Sequence, residues 1–206
     1  MKSIRRNFQS MKTTRLEAFS DGVIAILITI MVLELKVPHA SDWGVLRTLW
    51  PVFLSYVLSF IYLGIYWNNH HHMFHVTEKV SGKVLWANHI LLFFLSLVPF
   101  ATAWMGENHF QPNPTAFYGL MLLGCGVAYN RLQAALIAAE GAEQSKLAWA
   151  IGPDHKGKYS TLAYSVAIVI AFFAPWMACA IYFGVALMWL MPDRRIEEKV
   201  LESTER

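Results

Sequence analysis

The sequence predicts an all-α integral membrane protein with six transmembrane helices, and three observations lead there. Hydrophobic residues make up 56% of the 206 positions and charged residues only 15%, with a mean hydropathy of +0.39. The apolar residues gather into stretches near the roughly 20 residues a spanning helix needs. The basic residues sit at alternate junctions between those stretches, as the positive-inside rule requires. The chain has room for several spans and little else. No soluble domain, internal repeat or low-complexity tract is visible, and no nucleic-acid partner is expected.

The first span is expected over about Arg15 to Val37, stopped by Pro38. The second covers about Leu46 to Asn69, the third about Lys83 to Met105, and the fourth about Thr115 to Ala139. From Tyr159 to Met191 there are roughly 33 largely apolar residues, too many for one span of ordinary tilt. Pro175 sits in the middle, where it removes a helix hydrogen bond and favours a new helix start. Two short helices are the expectation; one long kinked helix is the alternative. Residues 1–14 then form a basic cytoplasmic N-terminus, 15–192 the membrane domain and 193–206 a cytoplasmic tail. No removable signal peptide is expected, because no short apolar core with a small-residue cleavage site follows the basic start. Cys125 and Cys179 lie within apolar stretches and read as small buried hydrophobes.

The charges fix the orientation. Lys2, Arg5, Arg6, Lys12 and Arg15 precede the first span, Lys79 and Lys83 separate the second from the third, Lys146, Lys156 and Lys158 separate the fourth from the fifth, and Arg194, Arg195 and Lys199 follow the last. The other junctions carry few basic residues, so both termini are expected in the cytoplasm. Five spans would put the basic C-terminus outside. Trp43, Trp50, Trp104 and Trp189 fall near span ends, where an interfacial aromatic belt belongs.

An ionisable residue opens the first span: Arg15-Leu-Glu-Ala-Phe19-Ser20-Asp21-Gly22 leads into an apolar run. Burying such a group in the bilayer costs at least about 2.5 kcal/mol unless it meets a partner or water. At about 100° per residue, Gly22, Ile26, Thr29 and Leu33 fall within a stripe roughly 60° wide, while Asp21 points about 110° away. If several copies surrounded an axis, the stripe could line a pore, with Ile26 as an apolar gate and Thr29 as a hydroxyl ring. A buried helix of any kind also gives such stripes.

The second cluster is Trp67-Asn68-Asn69-His70-His71-His72-Met73-Phe74-His75 at the end of the second span. His71 and His75 have the spacing of a metal pair. No HExxH, CxxC or acidic set accompanies them, so no metal or other cofactor is expected. One or two of these residues could instead hydrogen-bond Ser20 and Asp21, whose span starts on the same side. Asn88 and His89 in the third span are candidates for the same network, as a polar pair in apolar sequence needs partners.

Arg15-x-x-x-Phe19-Ser20-Asp21 at the start of the first of six spans closely resembles the signature of the transmembrane protein 175 potassium-channel family, in its bacterial single-repeat form. The resemblance extends to Trp67-x-x-His70-His71-x-x-Phe74, to Asn88 followed by an apolar run ending Val98-Pro99-Phe100, and to Trp189-x-x-Pro192-Asp193. It implies a cation channel without the TVGYG filter, which is absent here too. It also implies a homotetramer in a bilayer, because one repeat per chain is present, with the first helix lining the central pore. On that resemblance Ile26 forms the constriction and Thr29 contributes to selectivity. Arg15, Ser20 and Asp21 belong to a packing network with the following helices. Gly22 and the run of three histidines as a unit have no role that the resemblance assigns.

The expected function is passive conduction of potassium, the permeant ion, with modest preference over sodium. A ring of Ile26 side chains offers no oxygen ligands, so selectivity rests on how readily a partly dehydrated ion passes it, and potassium sheds water more easily. Glu34 near the outer end could concentrate cations, or simply pair with Lys36. A proton-coupled secondary transporter is the alternative, though it would usually show broken helices or paired repeats. A metal-dependent membrane enzyme built on the histidines is weaker still. A prokaryotic plasma membrane is the expected location.

Overall fold

A computed structural model describes residues 13–39, 41–77, 79–141 and 145–190. Eight helices occupy them: α1 (Thr13–Leu33), α2 (Gly44–Thr48), α3 (Trp50–His75), α4 (Gly82–Glu107), α5 (Pro112–Glu140), α6 (Lys146–Ile151), α7 (His155–Ala171) and α8 (Pro175–Leu190). Four of them, α1, α3, α4 and α5, are long and apolar enough to cross a membrane, and α8 is a shorter apolar helix. The basic residues at either end of the sequence fall outside the described residues, as do Pro192 and Asp193.

Local chemistry explains where the helices start. Ser81 accepts a hydrogen bond from the Val84 N–H at 3.4 Å, Ser145 from Ala148 at 3.3 Å and Asp154 from Gly157 at 2.8 Å. Each thereby satisfies one of the free N–H groups of a helix start. α5 opens on Pro112, whose missing N–H costs nothing in a first turn. Pro51 likewise lies in the first turn of α3. In one helix running from Leu46 it would have left the Arg47 carbonyl without its donor. The chain therefore breaks at Leu49, and α2 stands apart from the span expected to begin at Leu46.

The apolar run after Tyr159 forms two helices rather than one kinked helix. α7 ends at Ala171, Phe172 to Ala174 make the turn, Pro175 starts α8, and the two helices pack on each other. α4 lies between α3 and α5 and also carries α1, while α5 carries α7 and α8. α1 packs chiefly on α3 and α4 and is the least buried of the four long helices.

The bundle has two apolar cores. One joins α1 to the near halves of α3, α4 and α5 through Ile24, Leu63, Leu91, Leu95 and Leu132; the other joins α3, α4 and α5 to α7 and α8 through Tyr62, Tyr118, Leu122 and Tyr182. Buried hydroxyls stitch the second: Ser59 lies 2.6 Å from Thr102 and 3.0 Å from the Tyr118 hydroxyl. Gly106 lets α4 press on α3, since a Cβ there would lie 2.9 Å from the Val52 Cα.

Candidate pore face and the network behind it

α1 buries Leu16, Ser20, Ile24, Leu27 and Met31, a set repeating every three or four residues. That face lies about 150° around the helix from the Gly22, Ile26, Thr29 and Leu33 stripe. All four stripe residues are exposed in the single chain, Ile26 at 57% and Leu33 at 79%. An apolar helical face so open at membrane depth meets either lipid or another helix. The Thr29 hydroxyl donates to the Ile26 carbonyl at 2.8 Å. Its proton is thereby held against the backbone, leaving the oxygen lone pairs free as acceptors.

The opposite face of α1 is anchored through polar side chains. Asn88 of α4 donates through its amide nitrogen to the Ser20 hydroxyl at 2.9 Å, and its amide oxygen lies 2.9 Å from His70 Nε2 on α3. The Ser20 hydroxyl in turn donates to the Leu16 carbonyl at 2.9 Å. All three side chains are buried. They join α1, α3 and α4 at one point, and an unpaired member there would cost the desolvation of a polar group. His70 also stacks on Phe74, ring centroids 4.5 Å apart.

A second tie lies one turn further out. His71 Nδ1 is 2.7 Å from Glu17 Oε1, and Trp67 stacks on the His71 ring at 6.2 Å. Phe19 stacks on His89 of α4 at 5.9 Å. Asp21 is half-buried, with its Oδ1 shielded from solvent and without a hydrogen-bond partner in the single chain. Arg15 is exposed and, among the described residues, makes no salt bridge. The structure thus brings together Ser20, His70 and Asn88, and separately Glu17, Trp67 and His71, while Arg15 stands apart from both. The role of Glu17 was not anticipated, although an acid one turn before Asp21, at the start of an apolar span, was itself a signal.

The histidine run occupies the last turns of α3, where His71 and His75 stack at 6.0 Å. Among the described residues no group of three or more His, Cys, Asp or Glu side chains is placed to hold a metal ion. At the other end of α1, Lys36 pairs with Glu107 at 2.7 Å rather than with Glu34. Donating a hydrogen bond to the Glu107 carboxylate raises the Lys36 pKa above its ordinary value.

The model of the endosomal/lysosomal potassium channel TMEM175 family matches residues 15–99, from the start of α1 into α4. A potassium channel of Chryseobacterium sp. (strain P1-3) is 53% identical over 189 residues, covering 92% of this chain and 98% of that protein. The crystal structure of a lysosomal potassium-selective channel TMEM175 homolog from Chamaesiphon minutus superposes with a TM-score of 0.74 at 30% identity, covering 87% of this chain and 96% of that one. The human endosomal/lysosomal proton channel TMEM175 is 33% identical over 99 residues, which are 42% of this chain and 20% of that protein. With its motif residues at the start of α1, and relatives matched along nearly their whole length, the chain belongs to the TMEM175 family in its bacterial form.

Proposed function

We propose that this chain is a potassium-permeable channel of a bacterial plasma membrane, a passive and modestly potassium-selective leak rather than an enzyme. Four copies surround an axis lined by α1. The observation that carries this reading is the division of α1 into a packed face bearing Ser20 and an open face bearing Gly22, Ile26, Thr29 and Leu33. Potassium-channel relatives sharing 53% and 30% identity support the ion, and no relative among them favours a transporter or a metal-dependent enzyme.

In this assembly the Ile26 side chains meet at the axis and close it to water by dewetting. An ion passing there sheds part of its shell, and the lone pairs of Thr29, one turn outward, replace some of the lost oxygen contacts. Potassium holds its shell less tightly than sodium, so potassium is favoured without steep discrimination. α7, with 17 residues, and α8, with 16, act as the fifth and sixth spans. Their length, about 25 Å, crosses most of a hydrocarbon core of about 30 Å. Both termini then face the cytoplasm.

Liposome flux measured in potassium and in sodium tests the gate. Ile26→Asn wets the constriction, so flux should rise and the preference for potassium shrink. Unchanged flux at equal protein incorporation would sink the assignment.

A further inference from the structure

A cavity of about 620 Å³ opens between α3, α5, α6, α7 and the end of α8, away from the face of α1 proposed to conduct. Its size is that of a site for a small organic ligand, which is about 300–1,000 Å³. Along α3 it extends from Phe60 to Met73, which at 1.5 Å per residue is about 20 Å. One leaflet of hydrocarbon is about 15 Å deep. The cavity is therefore as tall as one leaflet.

Its two ends differ in chemistry. The end towards the membrane centre is walled by Phe60, Ile61, Gly64 and Ile65. A Cβ built on Gly64 meets no atom within 4 Å, so the helix leaves a slot there. The other end presents His72, His155 and Lys156 together with the amides of Asn69 and Gln133. Asp154 is the one acid among the lining residues, and its carboxylate accepts from the Gly157 N–H at the start of α7, where the helix dipole offsets its charge. Trp189 closes the side: its indole N–H donates to Ser160 at 2.8 Å, and Lys156 lies 5.9 Å over its ring. An indole beside a lysine is an arrangement found where the headgroup layer begins.

We infer that this cavity holds one anionic phospholipid of the cytoplasmic leaflet, with an acyl chain in the Gly64 slot and the phosphate group between His72, His155 and Lys156. The inference uses the cytoplasmic placement of the α3 C-terminus and does not depend on which helix conducts. The apolar wall excludes a free phosphate or nucleotide as a complete occupant, since either would leave the Phe60 to Ile65 half of the cavity uncovered. Lys156, with the imidazole and amide N–H donors of His72, His155, Asn69 and Gln133 around it, suits a phosphate whose counter-charge is this lysine rather than a choline of its own.

The test uses the full chain, purified, stripped of lipid in detergent, and titrated with dioleoyl phosphatidylglycerol or dioleoyl phosphatidylcholine while native mass spectrometry counts bound lipid. The wild type should take one phosphatidylglycerol per protomer in preference to phosphatidylcholine by roughly tenfold in affinity. Gly64→Leu, which fills the slot, should lose that lipid while keeping wild-type oligomer size and potassium flux. His155→Gln combined with Lys156→Gln should bind both lipids alike. Equal binding of the two lipids by the wild type, or full retention by a folded Gly64→Leu, would overturn the assignment. If Gly64→Leu does not assemble, the charge variant decides alone: undiminished preference for phosphatidylglycerol there rejects the site.

Discussion

Asn88 is the residue on which three helices converge, because its amide serves one helix with each end. Oδ1 faces His70 on α3 and Nδ2 donates to Ser20 on α1. Replacing it with Ala leaves the buried His70 Nε2 without a partner and takes the donor from Ser20, whose hydroxyl keeps its bond to the Leu16 carbonyl, a loss of about 1–3 kcal/mol for the group left unsatisfied. Asn88→Ala should therefore lower the melting temperature of the purified protein clearly, while the potassium-to-sodium flux ratio of the folded fraction stays as in the wild type. Thr29→Val should do the reverse, keeping stability and reducing the preference for potassium in the same flux assay. That contrast separates scaffold from conduction. The division of α1 into a packed and an open face was legible in the sequence, because 100° per residue already divides Ser20 from Ile26 and Thr29. The pairing of Glu17 with His71 was not, since it depends on how α3 is rotated against α1 at a sequence separation of 54. Lys36 seemed matched to nearby Glu34, but the chain leaves α1 at Leu33, and the ammonium reaches across to Glu107 instead.

Among the elements, the turn between α4 and α5 carries the clearest local tension. His109 and Phe110 both adopt positive φ, 52° and 58°. A side chain in that conformation costs about 1–2 kcal/mol per residue. Phe110 is buried and stacks on Trp50 and Trp176, with centroids 6.0 and 4.6 Å away, so contacts offset its strain. His109 belongs to neither core cluster. His109→Gly should raise the thermal stability slightly, and Phe110→Gly should lower it by removing the stacked ring; differential scanning fluorimetry reads both. Proline made one boundary readable and hid another. Pro175 interrupts a run too long for one span, so the sequence marks two helices. Pro51 suits a first turn but gives no sign of whether a helix also precedes it, and the break at Leu49 went unseen.

Across the whole molecule, the packed cores lie where α3, α4, α5, α7 and α8 meet, and α1 sits at the margin. A bundle that keeps its motif-bearing helix at its edge leaves that helix open to other copies, as the proposed tetramer requires. Asp21, with one carboxylate oxygen shielded and unpartnered in a single chain, is a candidate contact in that assembly. Asp21→Ala should reduce the tetramer fraction in light-scattering measurements without altering the ion preference of what assembles; a normal tetramer with changed selectivity contradicts this. The all-helical membrane class was readable from composition and charge spacing. The edge position of α1 was not, because every apolar span looks equally buried until the others are packed.

The ion pair between Lys36 and Glu107 has a bearing on how α1 moves. One end of this helix is moored by buried hydrogen bonds that water and ions do not reach. The other is held past its last turn by two solvated charges, and such a tether weakens as ionic strength rises. Salt acts on one mooring and spares the other. Between the two moorings Ile24, Leu27 and Met31 keep α1 packed on the core, so the ion pair governs only the stretch past the last turn. Ile26 and Thr29 lie between the two, so in the proposed channel raised salt should leave their spacing unchanged while loosening the residues beyond Leu33.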